Sequence, residues 1–245
     1  MRMKEDAMKN GQLKAAYNVQ TGEENRFAIG YDIFDNPADM RTLPVHIENV
    51  EKRLGCTFKI NIADAGYGSE ENYEYLNKKG IVALVKYGSY HKEHKKNYKK
   101  KIFESENWAY DAEKKEYTCP NGKAVSYIRT VIKENTSGYK QTIDVYQCKD
   151  CDGCPLRSES TKAKQGRTVQ RNEKWLTQKA HVNKLFEDAE YKAIAKRRSI
   201  ECETVFGQIK GNHHTPVQST GVWCSHKVGA VGFNTFYYGA EHRRY

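Results

Sequence analysis

An apolar strand that ends in an aspartate is the feature that most limits what this chain can fold into. In 57-TFKINIAD-64, Phe58, Ile60 and Ile62 alternate with polar residues, a period of two that predicts a β-strand with one buried face. Asp64 lies in phase with these residues, and the Gly-Tyr-Gly that follows predicts a turn that frees it. Because open sheets present functional groups at strand ends, Asp64 is a candidate functional residue. The structural alternative is an aspartate that caps a turn.

The neighbouring segments predict a mixed sheet around this strand. Alternating apolar residues in 14-KAAYNVQ-20 and 26-RFAIGYDIF-34 predict a β-hairpin. Residues 36–55 predict a helix that begins near Asn-Pro and ends at Gly55, residues 68–79 predict a second helix, and 81-IVALV-85 predicts a short buried strand. The order strand, strand, helix, strand, helix, strand indicates an α/β fold with helices covering a mixed sheet.

Composition favours a polyanionic partner. The formal net charge is +10, which is typical of proteins that bind nucleic acid, although solvated surface lysines are the alternative. The N-terminal MRMKEDAMKNG is too charged for a signal peptide, and no apolar run approaches the roughly 20 residues of a membrane span. We therefore expect a cytoplasmic protein without a membrane partner.

A basic, cysteine-containing segment interrupts the α/β pattern between about residues 86 and 165. Lysines crowd residues 92–101, with Tyr90 just before them and Tyr98 among them, and Lys95 and Lys96 are candidates to follow a DNA backbone. A solvated loop is the alternative. A helical pattern returns over about residues 172–210.

Three cysteines in this segment have metal-ligand spacing. Cys148, Cys151 and Cys154 form Cys-x2-Cys-x2-Cys, and Cys119 is a candidate for a fourth thiolate. Four thiolates suit a closed, tetrahedral, structural Zn²⁺ site. An iron–sulfur cluster, a redox pair and free thiols are the alternatives.

A helix through residues 196–211 carries the second acidic candidate. At 100° per residue, Lys196, Glu203, Gly207 and Lys210 share a stripe beside an apolar one. Such a stripe could face a metal ion and a phosphate backbone together, and ordinary Glu/Lys pairing on a solvated face is the alternative.

Several of these segments together closely resemble the catalytic part of DDE-type bacterial insertion-sequence transposases. The resemblance covers roughly residues 1–212. It rests on 15-AAYNVQTGEE-24, 36-NPAD-39, 62-IADAGYGSEENYEYL-76, 146-YQCKDCDGCPLRS-158 and 203-ETVFGQIKGN-212.

The resemblance implies a ribonuclease H-like mixed sheet with flanking helices, interrupted by a cysteine-containing insertion. Residues 1–88 would form the first part of the catalytic domain, residues 89–170 the insertion, and residues 171–245 the C-terminal helical part. Within that last part, 229-GAVGFNTF-236 resembles the closing helix of the family.

The resemblance also implies a chemistry and its ligands. Asp64 and Glu203 would hold Mg²⁺, or Mn²⁺, for the cleavage and strand transfer of transposon-end DNA, and Lys210 would contact a DNA phosphate. Hard divalent cations prefer carboxylate oxygens, which fits both residues. Glu201 is a nearby rival of Glu203. DNA and further copies of the same chain would be the partners.

The first acid of the family's triad has no evident match in this sequence. In the family it ends a strand just before the hairpin, whereas Asp6, the nearest aspartate here, follows no apolar strand. We expect that the chain begins at an internal methionine, lacks the first core strand, binds metal poorly and catalyses weakly. A non-catalytic DNA-binding remnant and a zinc-stabilised nucleic-acid-binding module therefore remain open alternatives.

Overall fold

The computed structural model describes residues 2–5, 13–16, 18–25, 27–35, 39–207 and 232–239. The chain divides into two compact units, Met1–Gly88 with Gln178–Tyr245, and Ser89–Thr177. The first unit is therefore built from two separate stretches of chain, and the second from one continuous stretch. Which segments form a catalytic domain and which an insertion stays a prediction.

The first unit contains a small hairpin and a five-stranded mixed sheet. The hairpin pairs β1 with β2. The larger sheet has the order β4-β3-β12-β5-β6. The strands are β1 (Arg2–Glu5), β2 (Leu13–Ala16), β3 (Asn18–Glu24), β4 (Phe27–Phe34), β5 (Ile60–Gly68), β6 (Val82–Tyr87) and β12 (Gly232–Gly239).

Pairing within the larger sheet is partly antiparallel and partly parallel. β3 and β4 form an antiparallel hairpin, and β5 and β6 are parallel. β12 lies between the two pairs, parallel to β3 and antiparallel to β5. The central position of the sheet is thus taken by a strand from the far end of the sequence.

Helices connect and cover the strands of this unit. They are α1 (Leu43–Leu54), α2 (Glu70–Lys78), α5 (Glu173–Glu187), whose first residues belong to the second unit, and α6 (Ala189–Gly207). α1 ends at Gly55, which adopts φ 67° and donates its backbone N–H to the Glu51 carbonyl. α2 begins at Ser69, whose hydroxyl accepts the backbone N–H of Asn72.

The apolar core of this unit joins helices to the sheet. Leu43, Ile47 and Val50 of α1 are fully buried. Ile62 of β5 and Leu84 of β6 form a second cluster, against which side chains of α5 and α6 pack, among them Phe186 and Ile194. None of the helices within the described residues is both long and apolar enough to span a membrane.

The second unit is an antiparallel sheet with two short helices. Its strand order is β11-β10-β9-β8-β7. Its core contains Trp108, Tyr117, Val125, Tyr146 and Val169. The elements are α3 (Tyr90–Glu93), β7 (Ala109–Asp111), β8 (Glu116–Thr118), β9 (Ala124–Glu134), β10 (Lys140–Cys148), α4 (Arg157–Ser160) and β11 (Thr168–Arg171).

The predicted elements of the first 88 residues are confirmed in kind, with shifted boundaries. The hairpin's first strand is Asn18–Glu24, so most of the segment 21-TGEEN-25, which lies between the two predicted strands, belongs to a strand. β5 continues to Gly68 and does not end at Asp64. The single helical segment predicted near residues 172–210 is two helices within the described residues, since α5 ends at Glu187 and α6 begins at Ala189.

One prediction about the C-terminal segment is wrong. Residues 232–236 were expected in a closing helix, but they belong to the strand β12. The physical reason is visible in GFNTFYYG, because aromatic and β-branched residues between two glycines favour an extended chain over a helix. The C-terminal part of the chain is therefore not helical throughout.

Candidate active site and cysteine cluster

Asp64 lies where β5 leaves its pairing with β6. The parallel register joins Ala63 to Val85 and resumes only at Gly68 with Tyr87. The interruption sets Asp64 at the end of the regularly paired part of the strand, and its side chain is 48% exposed. In place of the predicted turn, the structure has an interruption in the pairing of β5 with β6. This interruption leaves the Asp64 carboxylate accessible.

Gly68 is required where the ladder resumes. A Cβ atom at this position would lie 2.4 Å from the Lys86 carbonyl oxygen and 2.7 Å from the Tyr87 Cα. No side chain fits that approach of two backbones. The glycine after Tyr67 therefore serves strand packing and not a left-handed turn.

The partner of the Asp64 carboxylate is a cation. Arg198 Nη2 lies 2.7 Å from Asp64 Oδ1, and the Arg198 side chain is 28% exposed. Burial, with a smaller contribution from the charge of Arg198, lowers the pKa of the neighbouring Lys86. The middle of β5, where its regular pairing stops, therefore carries a carboxylate beside at least one positive charge.

A second carboxylate acts on the same neighbourhood. Tyr67 is fully buried and hydrogen-bonds to Gln20, and its pKa is raised by burial and then by the negative charges of Asp39 and Asp64. Asp39 accepts a hydrogen bond of 2.7 Å from Asn18 Nδ2. Asp39 is therefore held in place by a hydrogen bond and contributes negative charge close to the candidate site.

Glu203 belongs to the same helix as Arg198, but its side chain lies outside the described residues. Lys210 and Asp6 lie outside them entirely. Within the part of the chain that the structure describes, no three His, Cys, Asp or Glu side chains converge to hold a metal ion as they stand. The geometry brings α6 to Asp64, and the roles of Glu203 and Lys210 stay predictions.

Sequence reasoning missed Arg198 and Asp39. Arg198 follows Ile194 by one helical turn, and Ile194 packs against the sheet. This spacing places both side chains on one face of the helix, but it does not by itself predict the contact with Asp64. The sequence assigned Asp39 only to the segment 36-NPAD-39 at the start of a predicted helix. The spacing of residues along the chain does not predict its contact with Asn18.

Only some of the residues in the lysine-rich segment 92–101 are exposed to solvent. Lys95 and Lys96 are exposed, as is Lys196 on α6. Tyr98, in contrast, is 7% exposed, and its hydroxyl donates to Glu106 at 2.7 Å, so its ring is unable to stack on a nucleic-acid base. Lys92 lies over this ring and pairs with Glu104 at 3.4 Å. The exposed lysines remain the candidates for contact with DNA.

The four predicted cysteine ligands lie in one place. Cys119, Cys148, Cys151 and Cys154 all line one cavity of the second unit. Cys148 and Cys151 are buried, whereas Cys119 and Cys154 are half-buried. Burial, the hydrogen bond with Cys151 and the neighbouring thiols raise the pKa of the Cys148 thiol to about 11. Cys56, by contrast, is exposed in the first unit.

Comparison with known proteins finds a family match for part of the chain. Residues 118–222 match the family described as transposase DDE domain. No curated protein and no solved structure matches the chain. The matched segment contains all four clustered cysteines as well as α6 with Arg198 and Glu203. The match over residues 118–222 supports a DDE-type transposase.

Proposed function

We propose that this chain carries out metal-dependent cleavage and joining of DNA ends in a ribonuclease H-like domain. The observation that carries the proposal is the contact between Arg198 Nη2 and Asp64 Oδ1 at 2.7 Å. It brings the helix of the matched segment to the point in β5 where the regular pairing stops and Asp64 is presented. The mixed order of the larger sheet, an antiparallel hairpin on one side and a parallel pair on the other, is consistent with that fold.

Asp64 and Glu203 are the proposed ligands of Mg²⁺ or Mn²⁺. The half-exposed Asp64 carboxylate offers the hard oxygen atoms that these ions prefer, and glutamate offers the same. When bound, such ions stabilise the charge on the attacking and leaving oxygens of phosphodiester cleavage. Because the first acid of the family's triad has no evident match in the sequence, we expect weak activity.

The chain's own cations would position the DNA. Lys95, Lys96 and Lys196 are exposed, and Lys210 follows Glu203 in the family motif. Lysine contacts to phosphates fix the register of a duplex without reading its sequence. We propose that these lysines bind the backbone of transposon-end and target DNA, and that the protein acts in the cytoplasm as a homo-oligomer. A structural Zn²⁺ ion in the second unit is argued separately below.

The test is a nicking assay on supercoiled plasmid with Mn²⁺ and with Mg²⁺. The wild-type chain, Asp64→Asn, Glu203→Gln and the matched control Glu201→Gln are compared after each variant's folding is checked by circular dichroism. We expect slow nicking by the wild type and by Glu201→Gln, and none by the other two. Nicking that survives Asp64→Asn would overturn the assignment.

A second candidate function is DNA binding without cleavage. It is favoured by a specific observation, because a guanidinium and not another carboxylate contacts Asp64. In this case the chain would bind duplex DNA with steep salt dependence, and Asp64→Asn would bind as well as the wild type. Nicking by the wild type at any rate above the Asp64→Asn background excludes this alternative.

A further inference from the structure

We propose that Cys119, Cys148, Cys151 and Cys154 bind one structural zinc ion in the second unit. These residues come from two places in the sequence, the turn between β8 and β9 and the loop that begins at the end of β10. Their side chains line one cavity. The proposal concerns the architecture of this unit and does not depend on the DNA chemistry proposed above.

Two tight turns present cysteines to this cavity. In 119-CPNG-122, the Gly122 backbone N–H donates to the Cys119 carbonyl at 2.8 Å, and Gly122 has φ 72°. In 151-CDGC-154, the Cys154 backbone N–H donates to the Cys151 carbonyl at 3.4 Å, and Gly153 has φ 71°. Glycine adopts this left-handed conformation without strain, so the chain reverses directly after a cysteine at both turns. Paired turns of this kind offer thiols from two sides of one point.

Hydrogen-bond donors already point at two of the sulfur atoms. The Arg167 backbone N–H donates to Cys151 Sγ at 3.4 Å, and Asn121 Nδ2 donates to Cys154 Sγ at 3.4 Å. A thiolate is a better acceptor than a thiol because it carries a full negative charge. Donors around ligand sulfurs are the outer contacts that orient metal ligands.

The charge of the cavity lining suits a zinc–thiolate centre. A zinc ion with four thiolates is a dianion. Lys123, Arg157 and Arg167 line the same cavity, whereas Asp150 is its one acidic lining residue. The excess of cationic side chains would offset the charge of the bound centre. Free thiols would gain nothing from such surroundings.

Ligation requires a small rearrangement. The cysteine sulfurs in the described residues do not converge on a single point as they lie. Cys119 and Cys154 are half-buried, so rotation about their Cα–Cβ bonds meets little packing. We expect the two turns to stay where they are and these two side chains to rotate inward.

The test measures metal in the full chain. The protein is expressed in zinc-supplemented medium, purified without chelator and analysed for zinc and iron by inductively coupled plasma mass spectrometry. We expect about one zinc per chain, as a closed four-cysteine site holds a single ion. Cobalt exchange should give the intense visible bands of a tetrahedral site and a strong sulfur-to-metal charge-transfer band.

Serine variants identify the ligands. Zinc should be lost or weakly held in Cys119→Ser, Cys148→Ser, Cys151→Ser and Cys154→Ser, whereas the matched control Cys56→Ser should keep it. Zinc retained by Cys119→Ser with an unchanged cobalt spectrum would overturn the four-thiolate set.

The wild-type protein alone also decides the proposal, should the variants fail to fold. A chain without zinc, a chain with iron and acid-labile sulfide, or a chain whose cysteines form disulfides would each overturn it. A zinc-loaded chain whose unfolding midpoint falls on treatment with a chelator would support it.

Discussion

The contact between Asp64 and Arg198 is the residue-scale feature on which the proposed chemistry depends. Both side chains are partly exposed, so solvent screens the pair and its contribution to folding is small, about 1 kcal/mol or less. Its larger effect concerns binding. A guanidinium 2.7 Å from the carboxylate competes with any other cation for the same oxygen atoms.

Arg198→Ala should therefore raise the affinity of the chain for Mn²⁺, because it removes the competing charge. We expect an increase of roughly fivefold, which is the effect of about 1 kcal/mol. Affinity is measured by electron paramagnetic resonance of free Mn²⁺. Arg197→Ala is the matched control, since Arg197 contacts Asn25 and its removal changes the net charge equally. Equal affinities in the two variants, or no change in either, would contradict the prediction.

A buried histidine makes the folded first unit sensitive to acid. His46 is fully buried, and its Nδ1 lies 2.6 Å from Asp32, which also pairs with Arg53. Burial lowers the pKa of His46 below 6.5. Burial alone would raise the pKa of Asp32, but the hydrogen bonds from His46 and Arg53 outweigh it and lower that pKa below 3.8. The pair is a neutral imidazole that donates to a carboxylate.

The free energy of unfolding should therefore fall as the pH decreases. The unfolded chain binds a proton at His46 near pH 6.5, which the folded chain resists, so this contribution is complete above that pH and is lost below it. Asp32 adds a second loss below about pH 3.8. Urea unfolding at several pH values measures both. His46→Gln should flatten the first slope, whereas His181→Gln, at an exposed position, should leave it unchanged.

At the scale of elements, one apolar cluster positions the helix that carries Arg198. Leu84 and Ile62 are 1% and 2% exposed, and Leu185, Phe186 and Ile194 pack against them. α5 and α6 are thus held on the sheet by side chains near the candidate site. The position of Arg198 relative to Asp64 follows from this packing.

Leu84→Ala should destabilise the first unit by about 2–5 kcal/mol, because it removes buried methyl groups and leaves a cavity. It should also weaken binding of Mn²⁺, since α6 loses part of its support. Leu54→Ala is the control, as Leu54 is 45% exposed, and we expect less than about 1 kcal/mol there. Urea unfolding midpoints are measured for both variants. Equal losses in the free energy of unfolding would show that the buried cluster stabilises the first unit no more than an exposed leucine does.

The sequence predicted which segments form helices and strands better than it predicted which strands pair with each other. The end of α1 could be predicted because Gly55 marks it, whereas its start was predicted near Asn36 and lies at Leu43. The hairpin could be predicted because Ile29, Tyr31 and Ile33 alternate with other residues. The register of β3 against β4 could not, since polar Gln20 and Thr21 are buried through contacts made by other elements. The periodicity of hydrophobic residues indicates the local conformation, whereas the pairing of strands depends on residues far away in the chain.

In the candidate site, too, local structure was easier to predict than contacts between distant residues. Asp64 was predicted at the end of its strand; it lies where the regular pairing with β6 stops, although β5 itself continues to Gly68. Short-range spacing grouped Cys148, Cys151 and Cys154, whereas Cys119 was only a candidate fourth ligand. Its clustering with Cys148 depends on the pairing of β8 with β9 and of β9 with β10. The Arg198 contact was not predictable, since it requires the path of a helix across a sheet.

At the scale of the whole molecule, a net charge of +10 predicts electrostatic binding to DNA. We expect the logarithm of the binding constant to fall linearly with the logarithm of salt concentration, through release of counterions. Lys95→Ala and Lys96→Ala should each reduce that slope by about 0.9 if the residue contacts a phosphate. Lys52→Ala, in the last turn of α1, is the control and should leave the slope unchanged. Fluorescence anisotropy with a labelled duplex measures the slopes, and identical slopes for all variants would exclude this surface.

The position of β12 has a consequence for the order in which the molecule assembles during its synthesis. β12 joins β3 to β5 by pairing Gly232 with Asn18 and Phe236 with Ala63. Such pairing has a very high contact order, and closing so long a loop is entropically slow. The hairpin β3–β4 and the pair β5–β6 would leave the ribosome with open edges, whereas the continuous second unit can complete its sheet. Until β12 emerges, those edges are sites where a chaperone, or a neighbouring nascent chain, can add a strand.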